Sequence, residues 1–269
     1  MVSVGPRAVG PVAGSAVTDG APGVASVMTR DAGQLTSFDL RGGFDAYSAG
    51  LSRNERSNHR RSLNKLLRVP GFHIEIVGAA DVDVRFNEFV RMHQTQWKLD
   101  GRQGHFGDWP RALDFHRQLS DAFASSGRLR LVRLAAGDTS VAYYYCIRFG
   151  RRLVWRLSAR HADSAWDAYA LGRVGLLETL RVAAEEGVDE VDAGVGHYEY
   201  KRRLSGIETP LQSEMYVRDS RRSRISVRLA GTVSDLVNLL YYRAWYVRIR
   251  PRMLGKGRPL WPYWIRTRF

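Results

Sequence analysis

Several side chains that could move protons follow one short apolar run in the second half of the chain. They are Asp192, Tyr198, Tyr200 and Lys201, with Gly194 and Gly196 between them. An aspartate at the end of a strand could accept a proton, and a tyrosine could donate one. Tyr198 is a candidate for binding the substrate, and Lys201 for contacting a phosphate. Two plainer explanations stay open: Asp192 caps a glycine turn, and residues 201–203 form a solvated basic turn.

The segment before this run predicts a helix start that could bind an anion. Apolar residues recur every three or four positions from Leu171 to Ala184, and Gly187 ends the pattern. The first N–H groups of a helix are unpaired and lie at the positive end of its dipole, which suits a phosphate or pyrophosphate. The candidate binding residues are Leu171, Gly172, Arg173, Val174, Gly175 and Leu176. The alternative is that the two glycines only let the helix pack closely on a sheet.

His93 and Trp97 form a second candidate pair. They are four residues apart, so they share one face of a predicted helix. His93 is a candidate acid or base, and Trp97 is a candidate for substrate binding. The competing interpretation places His93 in the core, as is common for a lone histidine on an apolar face.

The elements that must position these residues follow from hydrophobic periodicity and turn residues. Helices are predicted over 52–68, 81–98, 111–124 and 170–187, and strands over 72–77, 128–134, 140–148, 152–160, 188–191 and 212–217. Short glycine turns join the three strands between 128 and 160, which predicts antiparallel hairpins. This order predicts an α+β fold with a central, mostly antiparallel mixed sheet flanked by helices.

Positive charge is concentrated at the end of the chain. The formal net charge is +14, and the stretch from Arg218 to Phe269 holds thirteen basic and two acidic residues, which is +11. Residues 223–250 are predicted to form one long helix, and the final residues mix tryptophan with arginine. Such a basic, aromatic segment suits an anionic membrane surface, single-stranded nucleic acid, or packing on the domain with solvated arginines.

Composition and pattern divide the chain into three expected regions. They are a flexible N-terminal tail (1–37), a folded domain (38–218) and a basic C-terminal helical extension (219–269). The tail lacks the pattern of a signal peptide, no stretch is long and apolar enough to cross a membrane, and the lone Cys146 excludes an internal disulfide. We therefore expect a cytoplasmic protein. A peripheral contact with a membrane stays open. No His, Cys and Asp residues have metal-ligand spacing, so we expect no metal.

Taken in order, these elements resemble the GNAT acyltransferase fold. Several short motifs are similar to its FemAB-like branch, which includes the CelD-type acetyltransferases of polysaccharide loci. The matching features are Leu51-Ser52 before an arginine-rich helix, Met92-His93 with Trp97, Gly101 to Phe106, Leu131 to Leu134 with Ala142, Leu171-Gly172-Arg173, and Asp192, Gly196 and Tyr200-Lys201. The resemblance covers roughly residues 44–205.

The resemblance implies direct transfer of an acyl group, an acetyl group first of all, from acyl-CoA to an amine of a glycan, cell-envelope or lipid-linked precursor. In that scheme the helix start holds acetyl-CoA, and the candidate catalytic residues are Asp192, Tyr200, Lys201 and His93. Fem proteins use aminoacyl-tRNA, so an aminoacyl donor stays open, as do a non-catalytic member of the fold and a nucleic-acid-binding protein. Nucleic acid is the less favoured partner, because the charge lies at the end of the chain rather than across the fold.

Overall fold

The structure is a computed structural model that describes residues 2–8, 23–99, 104–107 and 110–254. The chain divides into two compact units. One is Thr36–Glu208, and the other joins Met1–Leu35 with Thr209–Phe269. The expected domain limits of 38 and 218 differ from these bounds, mainly on the C-terminal side, and they stay predictions.

Strands and helices alternate irregularly along the chain. The strands are β1 (Val2–Ala8), β2 (Val24–Asp39), β3 (Phe72–Ile76), β4 (Leu129–Ala136), β5 (Thr139–Phe149), β6 (Arg152–Arg160), β7 (Glu190–Val195) and β8 (Ile207–Arg218). The helices are α1 (Gly43–Gly50), α2 (Arg53–Leu67), α3 (Val82–Leu99), α4 (Ala112–Ser125), α5 (Leu171–Glu185), α6 (Glu199–Arg203), α7 (Arg221–Val237) and α8 (Arg250–Met253). Short 3₁₀ turns cover Ala79–Asp81, His105–Gly107 and Ser164–Tyr169, and a π-helical stretch covers Asn238–Ile249.

The unit Thr36–Glu208 is built on a sheet in which β3, β4, β5, β6 and β7 are neighbours in that order. The first three pairings are antiparallel and the pairing of β6 with β7 is parallel. Helices flank the sheet, which confirms the expected mixed fold with a mostly antiparallel sheet. Strand β7 continues to Val195, beyond the predicted end at 191.

Two core clusters lie on opposite faces of this sheet because successive side chains of a strand point to opposite faces. The first core cluster includes Tyr144 and Cys146 of β5 together with the apolar side of α5. The second core cluster includes Tyr143 and Tyr145 of β5 together with Phe89 of α3. The three consecutive tyrosines are therefore all buried, but on alternate faces.

Helices α2 and α5 begin in different ways. The Ser52 hydroxyl caps α2 by accepting the Glu55 N–H at 3.2 Å, as its position before an arginine-rich run predicted. Helix α5 has no side-chain cap, because Ala170 before it has no polar side-chain atom; the backbone of Ala170 is left-handed, with φ 51°. Gly187, with φ 75°, follows the end of α5 and supplies the left-handed residue that the sequence predicted.

Strand β6 contains a one-residue bulge. Tyr145 of β5 pairs with Leu157 and Cys146 pairs with Trp155, so Arg156 is the extra residue. A bulge reverses the face to which the following side chains point. Accordingly, Leu153 belongs to the first core cluster, whereas Leu157 belongs to the second.

Strands β6 and β7 separate soon after they meet. Their paired residues run from Arg152 with Glu190 to Val154 with Asp192, and no pairing is present beyond these positions among the described residues. The bulge of β6 begins at this point. The second halves of the two parallel strands therefore leave an opening in the sheet.

The other unit contains β1 and β8, which pair antiparallel from Val2 with Tyr216 to Ala8 with Leu211. The structure has strands β1 and β2 within the stretch expected to be a flexible tail, 1–37, and the flexibility of that stretch stays a prediction. Backbone hydrogen bonds of a ladder form these strands, and small residues without hydrophobic alternation do not reveal such pairing in a sequence.

Helix α7 buries its small residues and exposes its large aliphatic ones. Val227, Gly231 and Ser234 are buried. The opposite face carries an aliphatic stripe, with side chains between 49% and 64% exposed, formed by Ile225, Leu229, Val233 and Leu236. The predicted single helix over 223–250 changes to π-helical geometry at Asn238. Among the described residues, no helix combines the length and the apolar character needed to span a bilayer.

Candidate functional site

A cavity of about 360 Å³ lies where β6 and β7 separate, within the unit Thr36–Glu208. Strands β5 and β6, the start of α5, α6 and the first turn of α2 supply its walls. The lining residues are Glu55, Tyr144, Trp155, Ser158, Gly172, Arg173, Tyr200, Arg203 and Leu204. The cavity therefore unites the predicted anion-binding helix start with one of the predicted tyrosines.

The start of α5 faces this cavity through Gly172 and Arg173. The N–H groups of Arg173 and Val174 donate to the Ala170 carbonyl at 2.9 and 3.0 Å, and the N–H groups of Leu171 and Gly172 precede these bonds. A Cβ atom on Gly172 would meet no atom within 4 Å. The turn thus offers backbone donors beside open space, as phosphate binding requires.

The remaining predicted helix-start residues serve packing. The side chains of Leu171, Val174 and Leu176 are buried in the first core cluster. Gly175 lies against Tyr144, where an added Cβ atom would come within 2.3 Å of the ring. These positions therefore fit the alternative account, close packing of helix on sheet.

Tyr144 fixes the start of α5 to the sheet. Its hydroxyl donates to the carbonyl of Gly172 at 2.6 Å, and burial raises its pKa well above the usual range. A hydroxyl that cannot ionise and points at a helix carbonyl acts as a fixed donor. The orientation of the helix start relative to β5 is set by this contact.

The charged residues of the cavity lining are Glu55, Arg173 and Arg203. Arg173 Nη1 lies 3.4 Å from the Glu55 carboxylate, which is mostly buried. The Nε–H of Arg173 is also buried and has no acceptor within the described part of the chain. The arginine therefore keeps one donor for a bound ligand.

The two predicted tyrosines lie side by side on α6 and the residue before it. Tyr200 lines the cavity, and its ring centroid is 5.8 Å from that of Tyr198. Burial, with a smaller effect of Tyr198, raises the pKa of Tyr200 to about 12. Tyr200 therefore keeps its proton at neutral pH and can donate it.

Lys201 is buried beside the cavity rather than in a solvated turn. Its Nζ donates to the carbonyl of Ala193 at 2.7 Å, and it lies 4.6 Å from the ring centroid of Tyr198 and 5.6 Å from that of Trp155. Burial lowers the pKa of Lys201 to about 8, against opposing effects of Asp192 and Glu208. The ammonium fills the place where β7 has lost its neighbour β6.

Asp192 lies at the edge of this region and is already paired. Its carboxylate accepts the N–H of Gly194 at 2.8 Å and lies 2.9 Å from the guanidinium of Arg152. It does not belong to the cavity lining. The turn-capping role that the sequence left open is present in the structure, and a direct role in catalysis stays a prediction.

His93 and Trp97 lie on α3, on the side of the second core cluster. His93 Nδ1 is 3.0 Å from the carbonyl of Ser158, so Nδ1 carries the proton, because a carbonyl only accepts. Its Nε2 lies 3.2 Å from His105 Nδ1, and Trp97 packs edge-on against that ring. Burial lowers the pKa of His93 to about 4, so the ring is neutral. The structure therefore separates this pair from the cavity lining.

Sequence patterns missed several lining residues. They are Glu55, Tyr144, Trp155, Ser158, Arg203 and Leu204. Trp155 and Ser158 face one cavity because of the bulge at Arg156, and an arginine in a strand does not predict a bulge.

Among the described residues, no three His, Cys, Asp or Glu side chains cluster in a way that could hold a metal ion.

Comparison with known proteins identifies the fold that this site belongs to. Residues 53–202 match the family model described as Acetyltransferase (GNAT) domain. FemX, a solved structure, is similar with a TM-score of 0.56 at 10% identity, over 73% of this chain and 66% of that one. L-PGS from Bacillus licheniformis is similar with a TM-score of 0.51 at 12% identity, over 74% of this chain and 63% of that one.

No curated protein sequence matches this chain significantly. The chain covers a little under two thirds of the length of both solved structures, and at such identities the likeness shows the fold alone. The family model, in contrast, spans more than half of the chain, from the start of α2 to α6, and includes every residue of the cavity lining except Arg203 and Leu204. The protein belongs to the GNAT acetyltransferase domain family.

Proposed function

We propose that this acyltransferase moves an acetyl group from acetyl-CoA directly to an amine of a glycan, cell-envelope or lipid-linked precursor. One observation carries the proposal: a single cavity is lined both by Gly172 at the open start of α5 and by Tyr200, whose hydroxyl keeps its proton at neutral pH. A phosphorylated thioester needs both of these features, one to hold its phosphates and one to protonate its leaving thiolate.

The donor would lie with its phosphates at the first turn of α5. Backbone N–H groups and Arg173 supply the positive end, and Gly172 leaves room for close approach. The thioester would then lie deeper, near Trp155 and Tyr200. Tyr200 would donate its proton to the thiolate as the carbon–sulfur bond breaks.

The acceptor must lose a proton when its nitrogen attacks, so a carboxylate has to be within reach. Glu55 lies in the cavity wall, and Asp192 lies beside Lys201 but outside the wall. We assign Glu55 as the nearer candidate and keep Asp192 as the alternative. His93 would act only indirectly, through the backbone of Ser158.

Aminoacyl-tRNA is the second candidate for the donor, and the outward face of α2 favours it. This face is basic, and its exposed members are Arg53, Arg60, Arg61, Lys65 and Arg68. The acidic Glu55 lies on the inner side of the helix. A phosphate-rich ligand larger than CoA would use such a face through charge alone.

The proposal also includes a peripheral contact of α7 with an anionic membrane. The aliphatic stripe of α7 is exposed, and the arginines at the start of the helix are Arg221, Arg222, Arg224 and Arg228. A helix with an outward apolar face flanked by arginines suits the interface of a bilayer rich in anionic lipid. Such a contact would place the enzyme near a lipid-linked acceptor.

Calorimetric titration with acetyl-CoA tests the donor. Gly172→Asp puts a carboxylate into the space that the phosphates would occupy, whereas Gly172→Ala adds one methyl group to open space. We expect wild type and Gly172→Ala to bind and Gly172→Asp to lose roughly 100-fold or more in affinity, because a like charge now faces the phosphates. Folded wild-type protein that binds no acyl-CoA, or a Gly172→Asp variant that binds normally, would refute this placement.

A further inference from the structure

The indole nitrogen of Trp155 is a buried donor with no acceptor within the described ranges, and Trp155 lines the cavity. Nearly all buried N–H groups in folded proteins have a partner, because an unpaired one has lost its hydrogen bonds to water. The Nε–H of Arg173, also in the cavity wall, has the same property. Two unpaired donors at one cavity point to a ligand that brings oxygen atoms.

The ring of Trp155 is held in place on two sides. Tyr144 packs against it with ring centroids 5.7 Å apart, and the ammonium of Lys201 lies 5.6 Å from its centroid. The backbone on both sides of it is fixed by the bulge at Arg156 and by the last β6–β7 pair at Val154. A donor fixed before the ligand arrives loses little entropy when it binds.

We propose that the Trp155 Nε1–H donates to the carbonyl oxygen of the acyl thioester. This inference rests on the proposed function and names the group that stabilises its reaction. When the amine nitrogen bonds to the carbonyl carbon, the carbonyl π electrons move to the oxygen, which becomes negative and accepts the indole hydrogen more strongly. The electrons return as the carbon–sulfur bond breaks, and the thiolate takes a proton.

The position of Lys201 supports this role. Its ammonium lies close to the same ring, and the carboxylate of Asp192 is directed to Arg152. Positive charge near the indole favours negative charge on an oxygen bound there. The ammonium beside the Trp155 ring thus has the sign that a developing oxyanion on the indole needs.

Affinity for two ligands that differ only at the thioester tests the proposal without an acceptor. Trp155→Phe keeps an aromatic ring and removes the N–H. Trp166→Phe is the matched control, because Trp166 packs on Tyr169 and does not belong to the cavity lining. We expect wild type and Trp166→Phe to bind acetyl-CoA about 3- to 10-fold more tightly than CoA, as one neutral hydrogen bond allows. Trp155→Phe should bind both equally, with unchanged affinity for CoA.

Nitrogen-15 spectra of the indole groups give a second, direct measurement. The protein has seven tryptophans, and the signal absent in Trp155→Phe identifies that residue. We expect this signal to move downfield with acetyl-CoA and to stay in place with CoA. An unmoved signal, or a Trp155→Phe variant that still prefers acetyl-CoA, would mean that water satisfies the indole and would overturn the inference.

Two other outcomes are distinguishable. A folded Trp155→Phe variant that loses CoA and acetyl-CoA alike would make the residue a packing element, which contradicts a carbonyl-specific contact. Wild-type protein that binds neither ligand would refute the proposed function itself, and the inference with it. Equal thermal unfolding midpoints of the variants and wild type establish that all of them are folded.

Discussion

Lys201 shows how one buried charge connects the stability of the fold to pH. Its pKa is lowered to about 8 because burial disfavours the ammonium, whereas a lysine in an unfolded chain titrates near 10.5. Between these values the unfolded state binds more protons than the folded one. The contribution of Lys201 to the free energy of unfolding therefore rises with pH from about 8 and levels off near 10.5.

We expect wild type to gain roughly 2 kcal/mol relative to Lys201→Met between pH 7.5 and 9.5, measured by urea unfolding. Comparing the two proteins cancels the titration of groups they share, such as the buried thiol of Cys146. Lys65→Met, at an exposed position of α2, is the control and should show no such slope difference. A flat difference between wild type and Lys201→Met would show that the ammonium is better solvated than its burial indicates.

At the scale of elements, the contact of α5 with β5 determines where the cavity wall lies. Gly175→Ala would force a methyl group to within 2.3 Å of the Tyr144 ring, which cannot retreat while its hydroxyl bonds to Gly172. We expect a loss of about 1–3 kcal/mol in the free energy of unfolding, the usual effect of overpacking a well-packed core. Urea unfolding measures it.

Gly172→Ala supplies the comparison, because it lies one turn earlier on the same helix and faces open space. It should be neutral or gain a few tenths of a kcal/mol to 1 kcal/mol, because alanine favours helix over glycine. In a Tyr144→Leu background, Gly175→Ala should cost less than it does in wild type, because the ring that the methyl group would meet is absent. Equal stability of the two single alanine variants would show that the helix can shift without cost.

The sequence predicted elements whose signals are local. The cap at Ser52, the apolar period of α5 and the left-handed Gly187 each depend on neighbours within one turn, and each is present. The cavity depends on contacts far apart in sequence. Glu55 meets Arg173 from another helix, and Ser158 shares the face of Trp155 because a bulge lies between them. Backbone hydrogen bonds between strands likewise form β1 and β2, where no hydrophobic periodicity in the sequence indicated strands.

At the scale of the whole molecule, the basic end of the chain includes α7, which also has an exposed apolar surface. The net charge is +14, and the aliphatic stripe of α7 lies among arginines. We expect the protein to co-sediment with vesicles containing about one third phosphatidylglycerol and not with neutral vesicles, because each basic residue near such a surface adds about 1 kcal/mol. Leu229→Glu, Leu236→Glu should reduce vesicle binding at least 10-fold, because both carboxylates would enter the apolar interface.

Val84→Glu provides the control for this test, since Val84 is an exposed apolar residue of α3 in the other unit. It should bind vesicles as wild type does. A Leu229→Glu, Leu236→Glu protein that sediments normally would exclude the stripe as the contact. Loss of a dimer in the same variant, seen by light scattering, would instead identify a second copy of the chain as the partner.

The extra residue of β6 has a consequence for how this cavity can be redesigned. Because the bulge at Arg156 resets the alternation of the strand, Trp155 and Ser158 both face the cavity while Leu157 between them stays in the second core cluster. Libraries that vary 155 and 158 together would therefore change ligand preference without altering the packing under α3. Deleting Arg156 would leave Trp155 opposite Cys146, Leu157 opposite Tyr145 and Ser158 opposite Tyr144, so all three side chains would keep their faces and only the local bend of the strand would be lost.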